Sequence, residues 1–359
     1  MHVAAILQRQ EFIMKLCRAL MMFGAPTHRI ETQIQQTARV LDINCRCIYF
    51  PNLMLLAFGD DTTHTSETKF IKQAGGLDLT KLTDMHAVFF NVINDKIGVE
   101  EASRQLDELM RRKPLIKRLP MVLIGGFCSA FICVGPMGFN GSFIDALLAF
   151  PLGAFLVFCQ SIITSELYSN VFEIVFAALN SFIATAAAYG SDPSRPFCYS
   201  AVVSGSIVLI LPGFIVLSGA LELQSKNLIA GSVRLVYALI YSLFLGFGLS
   251  IGSSLWVLFT GEENTIDATC AAPHNSDLWY RKTVPLQYAL LTVPGYSMCL
   301  SLRNHAKITR KEFPVMVLIA IAGWATNHFA AYQRNLQNRQ DFTSMLGSMA
   351  VGLLANIYG

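Results

Sequence analysis

The chain has 359 residues, of which 53% are hydrophobic and only 14% charged, with a formal net charge of +3. Such a composition is unusual for a soluble domain and ordinary for a chain that crosses a membrane several times. The small charge gives no basis for nucleic-acid binding.

The charge is unevenly placed. About 29 of the 51 charged residues precede Leu119. A soluble-like N-terminal domain, residues 1–116, is therefore expected ahead of a membrane part. The start MHVAAILQRQ lacks a basic, long apolar leader, so this domain is read as cytosolic. Glu11 to Phe23 has a helical apolar face, and Gly24-Ala25-Pro26 stops it. Pro26 suits the first turn of a second helix reaching Leu41. Ile43–Phe50, Leu53–Phe58 and Thr62–Ile71 read as strands, with turns at Pro51-Asn52 and Gly59-Asp60-Asp61. Leu79–Lys96 and Val99–Arg112 read as two more helices. The expected fold is a small α+β layer with an antiparallel sheet.

Three residues are candidates for chemistry in this domain. His28 and Glu31 lie three apart on a helix, and His64 sits in DDTTHTSE. A His/Glu cluster can hold a metal or do acid–base work. The other reading is helix capping and strand composition, and it needs no metal and no cofactor. Cys45 and Cys47 fall on one strand face as reduced thiols.

Arg111, Arg112, Lys113, Lys117 and Arg118 precede the first long apolar run and mark its cytosolic end. Eight spans follow, at about 119–136, 143–163, 168–189, 198–221, 234–259, 284–302, 313–332 and 341–358, each near the roughly 20 residues a crossing needs. With the first span starting inside, the inner loops hold about eleven Lys/Arg and the outer loops about five. Residues 117–259 form a first five-helix half, 260–283 an external loop, and 284–359 part of a second half. Cys198 and Cys270 fall on the outer side, where a disulfide between them is one option.

The third span carries Glu166, Asn170, Glu173 and Asn180 within roughly an 80° arc of one helix face. A carboxylate in the hydrocarbon costs at least about 2.5 kcal/mol, so Glu173 should face a cavity or a partner. The stripe reads either as interhelical glue or as a solute and proton pathway. The fourth span is broken at Pro212-Gly213, near Ser204, Ser206 and Ser218, and breaks of this kind free backbone groups at transporter sites or simply kink a helix. That break is expected to be the partner of Glu173. Glu222 and Arg234 flank the next inner loop as a gate pair or an ordinary interfacial pair. Asn327 and His328 place an amide and an imidazole in the seventh span.

Long segments also carry a family resemblance. LMMFGAPTHRIE, FGDDTTHT, QAGGLDLTKL and IGVEEASRQLDEL resemble the cytosolic domain of the threonine/serine exporter family, in its fungal pheromone-regulated membrane protein 10 branch. NVFEIVFAALNSF, LILPGFIVLSGALEL, GSVRLVYALIYSLFLGFG and LGSMAVGLLANIYG are similar to that family's membrane motifs. The resemblance implies a proton-driven exporter of small hydroxy amino acids with ten spans in two halves of five, so the chain reads as truncated by two spans. It also implies a hydrolase-like suggestion for the N-terminal domain.

The expectation is thus a mainly α, multi-pass membrane protein of the plasma or vacuolar membrane. Its partners would be a small solute, protons and the lipid bilayer, and a homo-oligomer fits equally. A membrane-anchored hydrolase using His28, Glu31 and His64, and a non-transporting scaffold, are the alternatives.

Overall fold

The computed structural model describes residues 2–60, 65–134, 138–163, 166–190, 197–261, 270, 274, 278–333 and 339–358. His64 lies outside this set, and the side chains of Glu166 and Asn170 are likewise not described. The chain forms two compact units. The first comprises Met1–Leu115, Pro212–Tyr241 and Asn304–Ala306; the second comprises Ile116–Leu211, Ser242–Arg303 and Lys307–Gly359.

In the first unit, α1 (His2–Met22) starts well before the expected Glu11. Gly24 turns the chain at φ +78°, a left-handed value open to glycine, and Pro26 sits extended just ahead of α2 (Thr27–Val40). Strands β1 (Asn44–Phe50), β2 (Leu53–Asp60) and β3 (Thr65–Lys72) form one antiparallel sheet in that order. The β1–β2 turn uses Asn52 at φ 62°. Strand β2 continues through Gly59 and Asp60, which pair with Ser66 and Thr65, so the turn begins later than expected.

Alternation places Tyr49, Met54, Leu56, Phe58 and Ile71 inward, while Ile48 and Phe70 stay exposed. Helices α3 (Leu79–Ile93) and α4 (Val99–Arg111) complete the layer. Asp78 caps α3 by accepting from the Lys81 N–H at 3.0 Å. The core is built on Phe12, Leu16, Leu20, Ile30, Met85 and Leu106, all fully buried. The segment at residues 304–306 joins this unit through Leu79 N–H to the Asn304 carbonyl (3.1 Å) and the Thr80 hydroxyl to the His305 carbonyl (2.5 Å).

Helix α9 (Gly213–Gln224) and the first part of α10 (Leu228–Thr260) also belong to this unit. They cross closely at two glycines. A Cβ at Gly231 would lie 2.8 Å from the Gly219 carbonyl oxygen and 2.8 Å from the Leu223 nitrogen, neither of which can yield. At Gly213 a Cβ would meet nothing within 4 Å. Gly231→Ala is therefore expected to lower the stability of the purified chain by about 1–3 kcal/mol through overpacking, while Gly213→Ala leaves it unchanged or slightly higher. Thermal unfolding in detergent checks this, and equal effects at the two sites would refute it.

The second unit is helical. It holds α5 (Arg118–Cys133), α6 (Phe143–Ile162), α7 (Glu166–Tyr189), α8 (Tyr199–Ile207) with a short 3-10 turn, the rest of α10, α11 (Ala289–Arg303), α12 (Glu312–Tyr332) and α13 (Gln340–Tyr358). Each of the eight expected spans contains a helix. Among the described residues, four helices are long and apolar enough to cross a membrane, or five if the bent pair Tyr199–Ile210 and Gly213–Gln224 counts as one span. Helix α5, with 16 residues, covers only about 24 Å at roughly 1.5 Å per residue. Helix α10 approaches α7 through Gly252, where a Cβ would fall 2.1 Å from the Ala178 carbonyl oxygen. This backbone proximity is a usual way for helices to pack where lipid replaces water.

Candidate functional site

The first polar cluster lies within the first unit. Its parts come from helix α2, strand β1 and the α9–α10 hairpin. Glu222, only 1% exposed, accepts a short hydrogen bond from the Thr27 hydroxyl and lies 3.3 Å from the Arg234 guanidinium. Arg234 also donates to the Tyr49 hydroxyl at 3.1 Å. Glu31 accepts from the Tyr49 N–H (3.2 Å) and the Asn227 side-chain amide (3.3 Å). Burial raises the Glu31 carboxyl above its ordinary value. The Tyr49 N–H and Asn227 amide lower it, and the neighbouring Glu222 carboxylate raises it again.

The other Glu222 oxygen, Oε2, is buried with no hydrogen-bond partner, as is Nδ1 of His28. A cavity of about 440 Å3 in the same unit is lined by Gly24, Tyr49, Asn52, Gln73, Phe214 and Arg234, among others.

Two expected groups thus meet. The sequence offers His28 and Glu31 as chemistry of the N-terminal domain and Glu222 and Arg234 as a loop pair; in the fold Glu31, Glu222 and Arg234 share one cluster. Glu31 is held by Tyr49 and Asn227, an arrangement that orients its carboxylate. Nearby, burial pushes the thiols of Cys45 up to about 11 and Cys47 up to about 12, so both are neutral and weakly nucleophilic at neutral pH. Among the described residues, no three His, Cys, Asp or Glu side chains are grouped to hold a metal ion.

The second cluster lies within the second unit. On α7, Glu173 is half-buried and accepts from the Gln160 amide of α6 at 3.0 Å. The Gln160 carbonyl in turn accepts from the Arg303 guanidinium of α11 at 2.9 Å. The carboxylate and guanidinium are therefore bridged by one side-chain amide. Gln160 and Arg303 sit at the C-terminal ends of their helices. Glu173 is thus tied to α6 through Gln160.

Two turns further along α7, Asn180 is fully buried and donates to the Ser206 hydroxyl at 2.6 Å. Ser206 is the residue that meets Asn180; Ser204 is half-buried and two positions away. The break itself is real: Leu211 is extended, Pro212 is buried, and α9 restarts at Gly213. Asn327 is half-buried on α12, with its Cβ 3.0 Å from where a Gly347 Cβ would stand. His328 stacks on Trp324 with centroids 5.1 Å apart.

At the other end of this unit, Asp145 is fully buried and accepts four hydrogen bonds. The donors are the Ser142 N–H and hydroxyl (2.8 Å each), the Cys198 N–H (2.8 Å) and the His274 ring (3.0 Å). Beside it a disulfide joins Cys198 to Cys270 across 72 residues. The sequence reading missed Asp145, although Ser142 followed three residues later by an acid is a capping-box spacing. It missed Gln160 and Arg303 as a bridge because no spacing links two helix ends that are 143 residues apart.

A family model described as "Putative threonine/serine exporter" matches residues 11–256. The chain belongs to the threonine/serine exporter family. Among relatives, it is 42% identical to pheromone-regulated membrane protein 10 of Debaryomyces hansenii over 362 residues, covering 99% of this chain and 34% of that protein. The Yarrowia lipolytica protein of the same name is 41% identical, covering 99% of this chain and 28% of its own length. That of Eremothecium gossypii is 40% identical, covering 99% and 46%. The chain spans less than half the length of these curated relatives. No solved structure matches it. As a member of this family with several apolar helices, this is a membrane protein.

Proposed function

We propose that the chain exports small polar amino acids, threonine- or serine-like, and couples their movement to protons. The observation that supports this most is the Glu173–Gln160–Arg303 bridge. It sets an ionisable carboxyl among apolar helices, with an amide and a guanidinium to hold it. Intramembrane carboxyls held this way are proton carriers in many pumps and transporters.

Glu173 is the coupling carboxyl in this reading. Asn170, Asn180 and Ser204 bind the solute's ammonium, carboxylate or hydroxyl, and the Pro212-Gly213 break supplies backbone groups. Glu222 and Arg234 gate the inner side, and Asn327 and His328 lie along the pathway. All eight helical stretches cross the bilayer, with residues 1–116 in the cytosol, 117–259 as the first half and 260–283 outside. The loop charge bias favours this orientation, and so does the Cys198–Cys270 disulfide, since disulfides persist away from the reducing cytosol. Plasma and vacuolar membranes both satisfy it, and a homo-oligomer is compatible with it.

The test is efflux of labelled threonine and serine from proteoliposomes holding the purified chain. Efflux is expected to accelerate when a pH gradient is imposed. A flux indifferent to the gradient overturns the coupling, and absence of flux for both solutes overturns the substrate class.

A further inference from the structure

We propose that Glu31 is a proton-binding site whose occupancy sets how firmly the α9–α10 hairpin is clasped to helix α2. The inference goes beyond the transport reading and does not depend on it. Its ground is a charge count inside one cluster. Two carboxylates, Glu31 and Glu222, stand in one cluster, and its cation Arg234 pairs with Glu222. Arg234 is committed to Glu222 and to the Tyr49 hydroxyl. Glu222 is 1% exposed and its Oε2 has no donor. Glu31 touches the hairpin directly through Asn227, in the turn that links α9 and α10.

The groups facing Glu31 can be taken element by element. Strand β1 contributes the Tyr49 N–H and the Cys47 thiol, and helix α9 the Glu222 carboxylate, itself paired with Thr27 and Arg234. The α9–α10 turn adds Asn227 and the exposed Lys226, held at φ 67° and turned to solvent. With a proton on Glu31 the cluster is neutral overall. Without it, a second negative charge stands beside a buried carboxylate, where repulsion is poorly screened.

The direction of the raised Glu31 carboxyl agrees with this. A carboxyl raised on folding contributes stability that is present below its unfolded value, about 4.3, and is lost as pH rises through the folded value. The clasp should therefore tighten in acid and loosen as the medium turns alkaline. Proton transfer here is simple binding to a carboxylate oxygen from water, with no other reactant.

The experiment uses the full chain purified in nanodiscs and followed by thermal unfolding between about pH 5 and pH 8. The midpoint is expected to fall as pH rises across the Glu31 titration, and Glu31→Gln should flatten that fall. In infrared difference spectra taken on stepping the pH, the carboxylic-acid carbonyl band should disappear in Glu31→Gln. A Glu31→Gln chain that keeps both the slope and the band overturns the proposal. If that variant does not fold, Glu222→Gln serves instead. It removes the neighbouring charge, so the fall in midpoint should move to lower pH, and an unmoved fall also overturns it. Transport need not be measured, so failure here leaves the export reading standing, and failure of export leaves this one standing.

Discussion

Glu173→Gln is expected to abolish gradient-driven efflux, lowering it about tenfold or more, which corresponds to about 1.4 kcal/mol or more of lost coupling. The substitution keeps the shape of the side chain, and its carbonyl oxygen can still accept from the Gln160 amide, now 3.0 Å from the carboxylate. What it removes is the ability to carry a charge and to take up a proton. A residue that served only as interhelical glue would tolerate the change, because a glutamine makes the same hydrogen bond. Residual solute exchange should survive and lose its pH dependence. Glu173→Asp tests placement rather than charge: shortened by one methylene, the carboxylate should lose the Gln160 contact and show partial activity. Gradient-driven efflux of normal rate and pH dependence in Glu173→Gln would end the coupling role.

The fold was largely legible where local pattern decides structure. Strand-like runs bounded by turn residues marked all three strands, and each of the eight apolar runs carries a helix. Boundaries failed where tertiary packing extends an element. Helix α1 begins at His2 because the chain before Glu11 continues a helix whose core, at Phe12 and Leu16, lies further on. Strand β2 runs through Gly59 and Asp60 because β3 pairs with both, overriding their turn preference. Composition divides the chain linearly near residue 116. The packing instead places Pro212–Tyr241 with the N-terminal segment. No sequence period announces that pairing, so Glu31 and Glu222 were read on separate accounts. The residue types at each site were visible, but their partners were not. Ser204 and Ser206 look equivalent in the sequence, and only the register of α7 against α8 selects Ser206 for Asn180. Gln160 carried no signal, since an amide near a helix end is ordinary until a carboxylate and a guanidinium flank it.

Arg234→Ala should be among the most destabilising single changes in the first unit, at about 3–5 kcal/mol. The cause is what it leaves behind. Glu222 is 1% exposed and would keep a single donor, the Thr27 hydroxyl, for a carboxylate cut off from water. Arg234 itself is 23% exposed along its side chain, so its own desolvation is modest and its loss is felt through its partner. The Arg234→Ala/Glu222→Ala double variant removes both charges and should recover much of the stability, because an apolar replacement of a buried pair is often near neutral. Tyr49→Phe deletes one neutral hydrogen bond to Arg234 and should cost only about 1 kcal/mol. The ordering therefore separates a buried pair from an ordinary interfacial one. Chemical unfolding of the purified chain, read in parallel with protease cleavage in the α9–α10 turn, gives both the energy and the place where the clasp opens. Arg234→Ala within about 0.5 kcal/mol of the parent would mean that water reaches Glu222 and that the clasp is a surface contact.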